Sequence, residues 1–142
     1  MEESNIKKFN TTMTEFVKDL KNIFGQSDRD LLKMETALEF TKIKVRIIMD
    51  VFVDYILNND DFVRHIFAEN LKYFLQYDFV TEIGVTSREN LETIGQIVIK
   101  FKKALEIKQD DSDTIKAIFN WFKMLIYYAS QDQNKDVSHL IS

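Results

Sequence analysis

Apolar residues recur at intervals of three and four along most of the chain. Ile6, Phe9, Met13, Phe16, Val17, Leu20, Ile23 and Phe24 keep this spacing, while Lys7, Lys8, Glu15, Lys18, Asp19 and Lys21 fill the opposite face. That pattern predicts an amphipathic helix, and Gly25 supplies its C-terminal stop. Ser27 is then the expected N-cap of a second helix, with Asp28 and Asp30 in its first turn and Leu31, Leu32, Met34 and Leu38 on its apolar face. The apolar face shifts near Phe40-Thr41, which predicts a break.

From Lys42 to Leu57 the residues Val45, Ile48, Val51, Phe52, Tyr55 and Ile56 again keep helical spacing, and Ile47, Met49 and Val53 widen the stripe. A helix apolar on more than half its circumference belongs in the centre of a fold. The frequent Val and Ile also suit a strand, but the length and the Asp50–Asp54 spacing favour helix. Asn58-Asn59-Asp60-Asp61 reads as a stop and a restart. Phe62, Ile66 and Phe67 then turn inward, and Asn70 opens a short turn with Leu71, Phe74 and Leu75.

Residues 77–85 fit helix least and read as a loop or a short extended piece. Thr86 and Glu89 have the spacing of a capping box. Leu91, Ile94, Ile97, Val98, Phe101 and Leu105 predict a long helix. Asp110-Asp111-Ser112-Asp113 caps a last one lined by Ile115, Ile118, Phe119, Phe122, Leu125, Ile126 and Ala129. Residues 131–142 are polar and read as a loosely docked tail, anchored by Val137, Leu140 and Ile141. The sum is an all-α fold, a single-domain irregular bundle of five to six helices spanning residues 1–142.

Composition agrees with this. The 142 residues include three glycines and no proline, too few for the many tight turns of a sheet protein. There is no cysteine, so neither disulfides nor thiolate metal sites arise. Twelve phenylalanines against one tryptophan predict a core rich in large rings, and Phe9, Phe16 and Phe24, or Phe119, Trp121, Phe122 and Tyr127-Tyr128, are more rings than one small core readily hides, so a contact surface stands beside simple core as their reading. No apolar stretch approaches the ~20 residues of a membrane span, and the acidic Met1-Glu2-Glu3-Ser4 start gives no secretion signal. An intracellular, soluble protein is expected. The net charge of −4 is mild, and its acidic excess falls in residues 59–86. Lys100, Lys102, Lys103 and Lys108 form the one basic cluster, read as a solvated helix face rather than a nucleic-acid surface.

Candidate chemistry is sparse. Asp61, His65 and Glu69 share a helix face at intervals of four, which is the spacing of a weak metal site, but solvated acids flanking a histidine account for it more simply. There is no nucleophile elbow and no Gly-rich phosphate loop. The Gln109–Asn120 stretch lacks the glycine and final glutamate of a calcium loop. No catalytic residue, metal ligand or cofactor is therefore assigned. The candidate protein-contact residues are Tyr73, Tyr77, Asp78 and Phe79 in the irregular acidic region, and Trp121 and Tyr128 on the last helix, with Trp121, Tyr73 and Tyr77 placed off their apolar faces.

The opening Lys8–Phe24 segment, with Phe9, Asn10, Phe16, Asp19, Leu20 and Phe24, resembles small helical proteins of nucleocytoplasmic large DNA viruses, as does "YFLQYDF" with Phe74, Leu75, Asp78 and Phe79. Those proteins often carry proline where this chain has Gly25. The resemblance covers the first half and implies a viral setting, in the virion or the host cytoplasm, for a non-enzymatic structural or interaction protein. The partner would be another protein or a further copy of the chain, with no nucleic acid and no membrane span involved. Asn120-Trp121 is similar to the groove motif of viral Bcl-2-like inhibitors, which implies a helical groove protein as the alternative. There Phe122-Lys123 replaces the expected Gly-Arg.

Overall fold

The computed structural model describes residues 4–76 and 89–141, with side chains in the second span from residue 93 onward. The irregular stretch 77–85 and Thr86 fall outside this description, as does the side chain of Glu89, so the capping-box pair lies outside it. The elements in chain order are α1 (Asn5–Phe24), α2 (Arg29–Glu39), α3 (Ile47–Phe52), α4 (Asp60–Phe67), α5 (Leu71–Leu75), α6 (Glu89–Ile107) and α7 (Ser112–Asp132). A 3-10 turn, Phe40–Lys42, follows α2, and α3 continues into π-helical residues Val53–Leu57. The described residues contain no strand, and the fold is the all-α bundle that the periodicity predicts.

Short polar side chains start most of these helices. Ser4, Asp28, Asn59, Asn70 and Asp111 each accept a hydrogen bond from the backbone N–H three residues on, satisfying one of the donors that every helix start leaves open. The cap of α2 is Asp28, one residue beyond the expected Ser27, because Asp28 holds the extended backbone and turns its carboxylate to the Leu31 N–H. Gly25 ends α1 at φ 108°. α4 and α7 end without glycine. Glu69 (φ 51°) and Asn134 (φ 53°) take the left-handed position instead, and paired backbone bonds, Asn70 to His65 with Glu69 to Ile66 and Lys135 to Ser130 with Asn134 to Gln131, close each end as a Schellman motif.

The helix expected from Lys42 starts five residues later, at Ile47. Ile43 and Lys44 both donate to the Phe40 carbonyl, which closes the 3-10 turn. Val45 gives its carbonyl to the Asn10 amide at 2.9 Å, and Arg46 reaches across to Asp132 at the end of α7. Residues 40–46 thus form a strap tied by side chains, and its Phe40, Ile43 and Val45 face outward, with Ile43 83% exposed.

The core lies between α1, α3, α6 and α7, and α7 packs most extensively on α1. Phe9, Phe16, Phe52, Phe62, Phe74, Phe101, Phe119 and Phe122 are all fully buried. Phe101 is the hub, with ring centroids 4.4 Å from Phe122, 5.2 Å from Phe74 and 5.7 Å from Phe119. Edge-to-face and tilted contacts let flat rings fill one volume without voids. Of the rings expected to exceed one small core, Phe9, Phe16, Phe119 and Phe122 are fully buried, while Tyr127 is 55% exposed; of the described phenylalanines only Phe40 is exposed.

Lys100 corrects a second expectation. It belongs to no solvated face but is 5% exposed. Its Nζ lies 2.7 Å from Asp28 Oδ2, 3.7 Å from Asp30 Oδ2 and 4.4 Å from the centre of the Phe24 ring. Burial pushes the Asp28 carboxyl up, but the hydrogen bonds from Lys100 and the Leu31 N–H outweigh it and hold the group below its ordinary value. One carboxylate thus caps α2 and neutralises a cation buried beneath it. Within the tail, Val137 and Leu140 are buried, so it is docked by two apolar anchors, while Ile141 is exposed.

Candidate interaction surface

The residues with metal-like spacing are already engaged elsewhere. Asp61 pairs with Arg64 at 3.0 Å, and Glu69 pairs with Lys123 of α7 at 2.6 Å. The His65 ring stacks on Tyr73, centroids 3.7 Å apart. Asn70 Oδ1 is taken by the Tyr73 N–H, so its amide nitrogen faces His65 Nδ1 at 3.0 Å, which makes that nitrogen an acceptor and places the ring hydrogen on Nε2. Among the described residues no group of three or more His, Cys, Asp or Glu is placed to hold a metal ion.

Of the six candidate contact residues, Tyr77, Asp78 and Phe79 lie outside the described residues. Tyr73 is half-buried against the core and stacked on His65. Trp121 is half-buried too: it stacks on Phe16 at 6.0 Å, and its indole N–H donates to Asp19 at 2.8 Å. Trp121 and Tyr73, expected off their apolar faces, both pack against the core. Tyr128 packs partly against the core and meets Tyr127 edge to face at 5.6 Å. The structure therefore brings Trp121 and Tyr128 to one side of α7 and leaves Tyr73 apart.

Beside Trp121 and Tyr128 runs a stripe of which counting aromatics picked out only Tyr127. From Ala117 to Gln131 the exposed residues of α7 are Ala117, Asn120, Met124, Tyr127 and Gln131. None is charged, in a chain of which 30% is charged. The exposed residues of α1 at matching positions are Lys7, Thr11, Glu15, Lys18 and Asn22, an ordinary solvated face. At 100° per residue the five α7 positions lie within about 80° of arc and run about 21 Å along the axis. Their spacing of three, four, three and four is that of a helix–helix seam. Met124 is 40% and Tyr127 55% exposed, and Trp121 and Tyr128 flank the stripe with half-buried rings. The one charged side chain on its other flank, Lys123, is bound to Glu69.

A groove runs between α1 and the α2–strap segment. It has a volume near 690 Å³ and is lined by threonines, by Leu38 and Val45, and by a rim of Lys7, Lys18, Lys42, Glu15, Glu35 and Glu39. No helix among the described residues is long and apolar enough to cross a membrane. Compared with protein-family models, curated proteins and solved structures, the chain matches none.

Proposed function

We propose that the chain is a non-enzymatic structural or interaction protein that works through helix-face contacts. The observation that carries this is the uncharged outer face of α7, where Met124 and Tyr127 stand exposed in a seam-like stripe. Contact surfaces are set apart by depletion of charge at their centre and by enrichment in Tyr, Trp and Met, and this stripe has both. The resemblance of the Phe9–Phe24 and Phe74–Phe79 segments extends the proposal to a virion-associated role in a large DNA virus. Affinity capture of the tagged chain from its native source tests the reading. Partners retained by the wild type should be lost with a Met124→Lys, Tyr127→Lys double variant. An unchanged partner set, or none with either protein, refutes it. Detection of the chain in purified particles tests the setting.

A second reading, a Bcl-2-like groove protein that sequesters an amphipathic helix, is favoured by the groove beside α1, which follows α1 from Ser4 to Lys18, about 21 Å. Such grooves hold apolar anchors in apolar pockets, whereas this one offers Leu38 and Val45 amid threonines and charges, so the α7 reading stands first. Titration with death-motif peptides separates the two: saturable binding in the groove supports only the second.

A further inference from the structure

We infer that residues 43–46 of the strap are a two-position element with Asn10 as its catch. In the docked position, which the structure shows, the Val45 carbonyl accepts from the Asn10 amide at 2.9 Å. In the wound position it accepts from the Met49 N–H, the partner that a continuous helix assigns to it, and α3 begins a turn earlier.

Four observations carry this. First, α3 starts without a cap. Its N-cap residue, Arg46, makes no side-chain capping bond, whereas Ser4, Asp28, Asn59, Asn70 and Asp111 cap α1, α2, α4, α5 and α7. Second, Val45 stands three, seven and eleven positions before Ile48, Phe52 and Ile56, all of them buried. Winding turns it onto their stripe, while in the docked strap it is 45% exposed. Third, much of the backbone is already helical. Phe40 (φ −66°, ψ −18°), Ile43 (φ −102°, ψ −50°) and Arg46 (φ −94°, ψ 0°) lie in the right-handed region, so the change falls on Lys44 and Val45. Fourth, docking has a cost. Among the described residues none donates to the buried Asn10 Oδ1, and an enclosed acceptor without a donor is destabilising.

The docked position is kept by the Asn10 bond and by charge, since winding sets Lys44 in the first turn of the lengthened helix, where the dipole disfavours a cation. Asn10 and Val45 both line the groove beside α1, whose volume is near 690 Å³. Winding withdraws Val45 from Asn10 and so alters one wall of that groove. The strap is thus a lid, and an occupant of the groove shifts it by the difference in its affinity for the two positions.

Asn10→Ala removes the catch and the enclosed oxygen together. Backbone NMR of this variant should show the Cα shifts of Lys44 and Val45 moving to helical values. Hydrogen exchange at the Met49 amide should slow by about tenfold, with exchange at Phe122, in the middle of α7, unchanged. Lys44→Glu leaves Asn10 in place and lies at an exposed position, so folding is not at risk. It makes the dipole favour the wound position and should move the same resonances in the same direction by less. Random-coil shifts at Lys44 and Val45 in Asn10→Ala, with faster exchange at Met49, overturn the wound position, because the strap then only frays. Unchanged shifts in both variants overturn the switch. Where Asn10→Ala does not fold, Lys44→Glu decides alone: movement toward helical shifts upholds the switch and its absence overturns it.

Discussion

Replacing Asp28 with Asn isolates the charge from the cap. The variant keeps an oxygen for the Leu31 N–H, now 3.0 Å from Asp28, and removes the negative charge 2.7 Å from Lys100. Because Lys100 is 5% exposed, water cannot replace the lost partner. Removing one member of a buried ion pair costs about 3–5 kcal/mol. Asp30 at 3.7 Å and the Phe24 ring at 4.4 Å retain part of the compensation, and the Asp28 side chain keeps 17% exposure, so the low end applies: about 3 kcal/mol. Asn and Asp are near-equal caps, so little of that loss is due to the helix start. Lys100→Met in the same background removes the stranded ammonium and fills the volume of its stem. The Asp28→Asn, Lys100→Met double variant is expected within about 1 kcal/mol of the wild type. Urea unfolding followed by helical circular dichroism measures all four corners of the cycle. A loss under about 1 kcal/mol for Asp28→Asn, or a double variant as unstable as the two single losses summed, would show that Lys100 is not held by this pair.

The same carboxyl gives a pH dependence. Asp28 has its folded value lowered, and so does Asp132 through its hydrogen bond from Arg46, so their stabilisation is present above the unfolded value, near 3.8, and is lost as pH falls below it toward the folded values. Urea midpoints should drop over that window, less steeply in Asp28→Asn, and equal slopes would refute the assignment. Phe101→Ala should cost about 4 kcal/mol, because three rings lose their common neighbour, whereas Phe40→Ala, at an exposed position, should stay within about 0.5 kcal/mol; the contrast is read in the same unfolding assay. Gly25→Ala should cost about 1–3 kcal/mol. At φ 108° and ψ 150°, with no atom within 4 Å of an added Cβ, the penalty is conformational rather than a clash; this lies outside the left-handed well that asparagine tolerates, so Gly25→Asn should lose about as much as Gly25→Ala, and equal stability of all three would count against it.

Much of the fold was legible because it depends on short-range rules. Helical spacing, the Gly25 stop and the Asn and Asp caps concern backbone groups within one turn, and they placed α1, α2, α4, α6 and α7 to within a few residues. Misreadings arose where a distant partner decided the outcome. Val45 has helical spacing from Ile48, but its carbonyl goes to Asn10, thirty-five residues away, and the strap stays out of the helix. Lys100 has the periodicity of a solvated face, but Asp28, seventy-two residues away, draws it inside. Trp121 reads as lying off its apolar face, yet Asp19 and Phe16 cover it.

The candidate surface was legible in a different sense. Every residue of the α7 stripe can be read from the sequence, since Ala117, Asn120, Met124, Tyr127 and Gln131 simply occupy the polar side of a well-marked helix. Attention to large rings picked out only Tyr127 of it, because rings are what cores and interfaces have in common. Eight of the phenylalanines prove to be fully buried. What distinguishes an interface on a helix already anchored by its apolar face is the chemistry of the opposite face. Charge there costs nothing in the monomer and favours solubility, so its absence over about four turns needs a reason of its own. On α1 the equivalent positions carry Lys7, Glu15 and Lys18, as a face that only meets water should. The two helices share length, burial and packing partner, and the outer-face charge is where they part. For that reason α7, not the more aromatic core-facing segments, is where contact is to be sought.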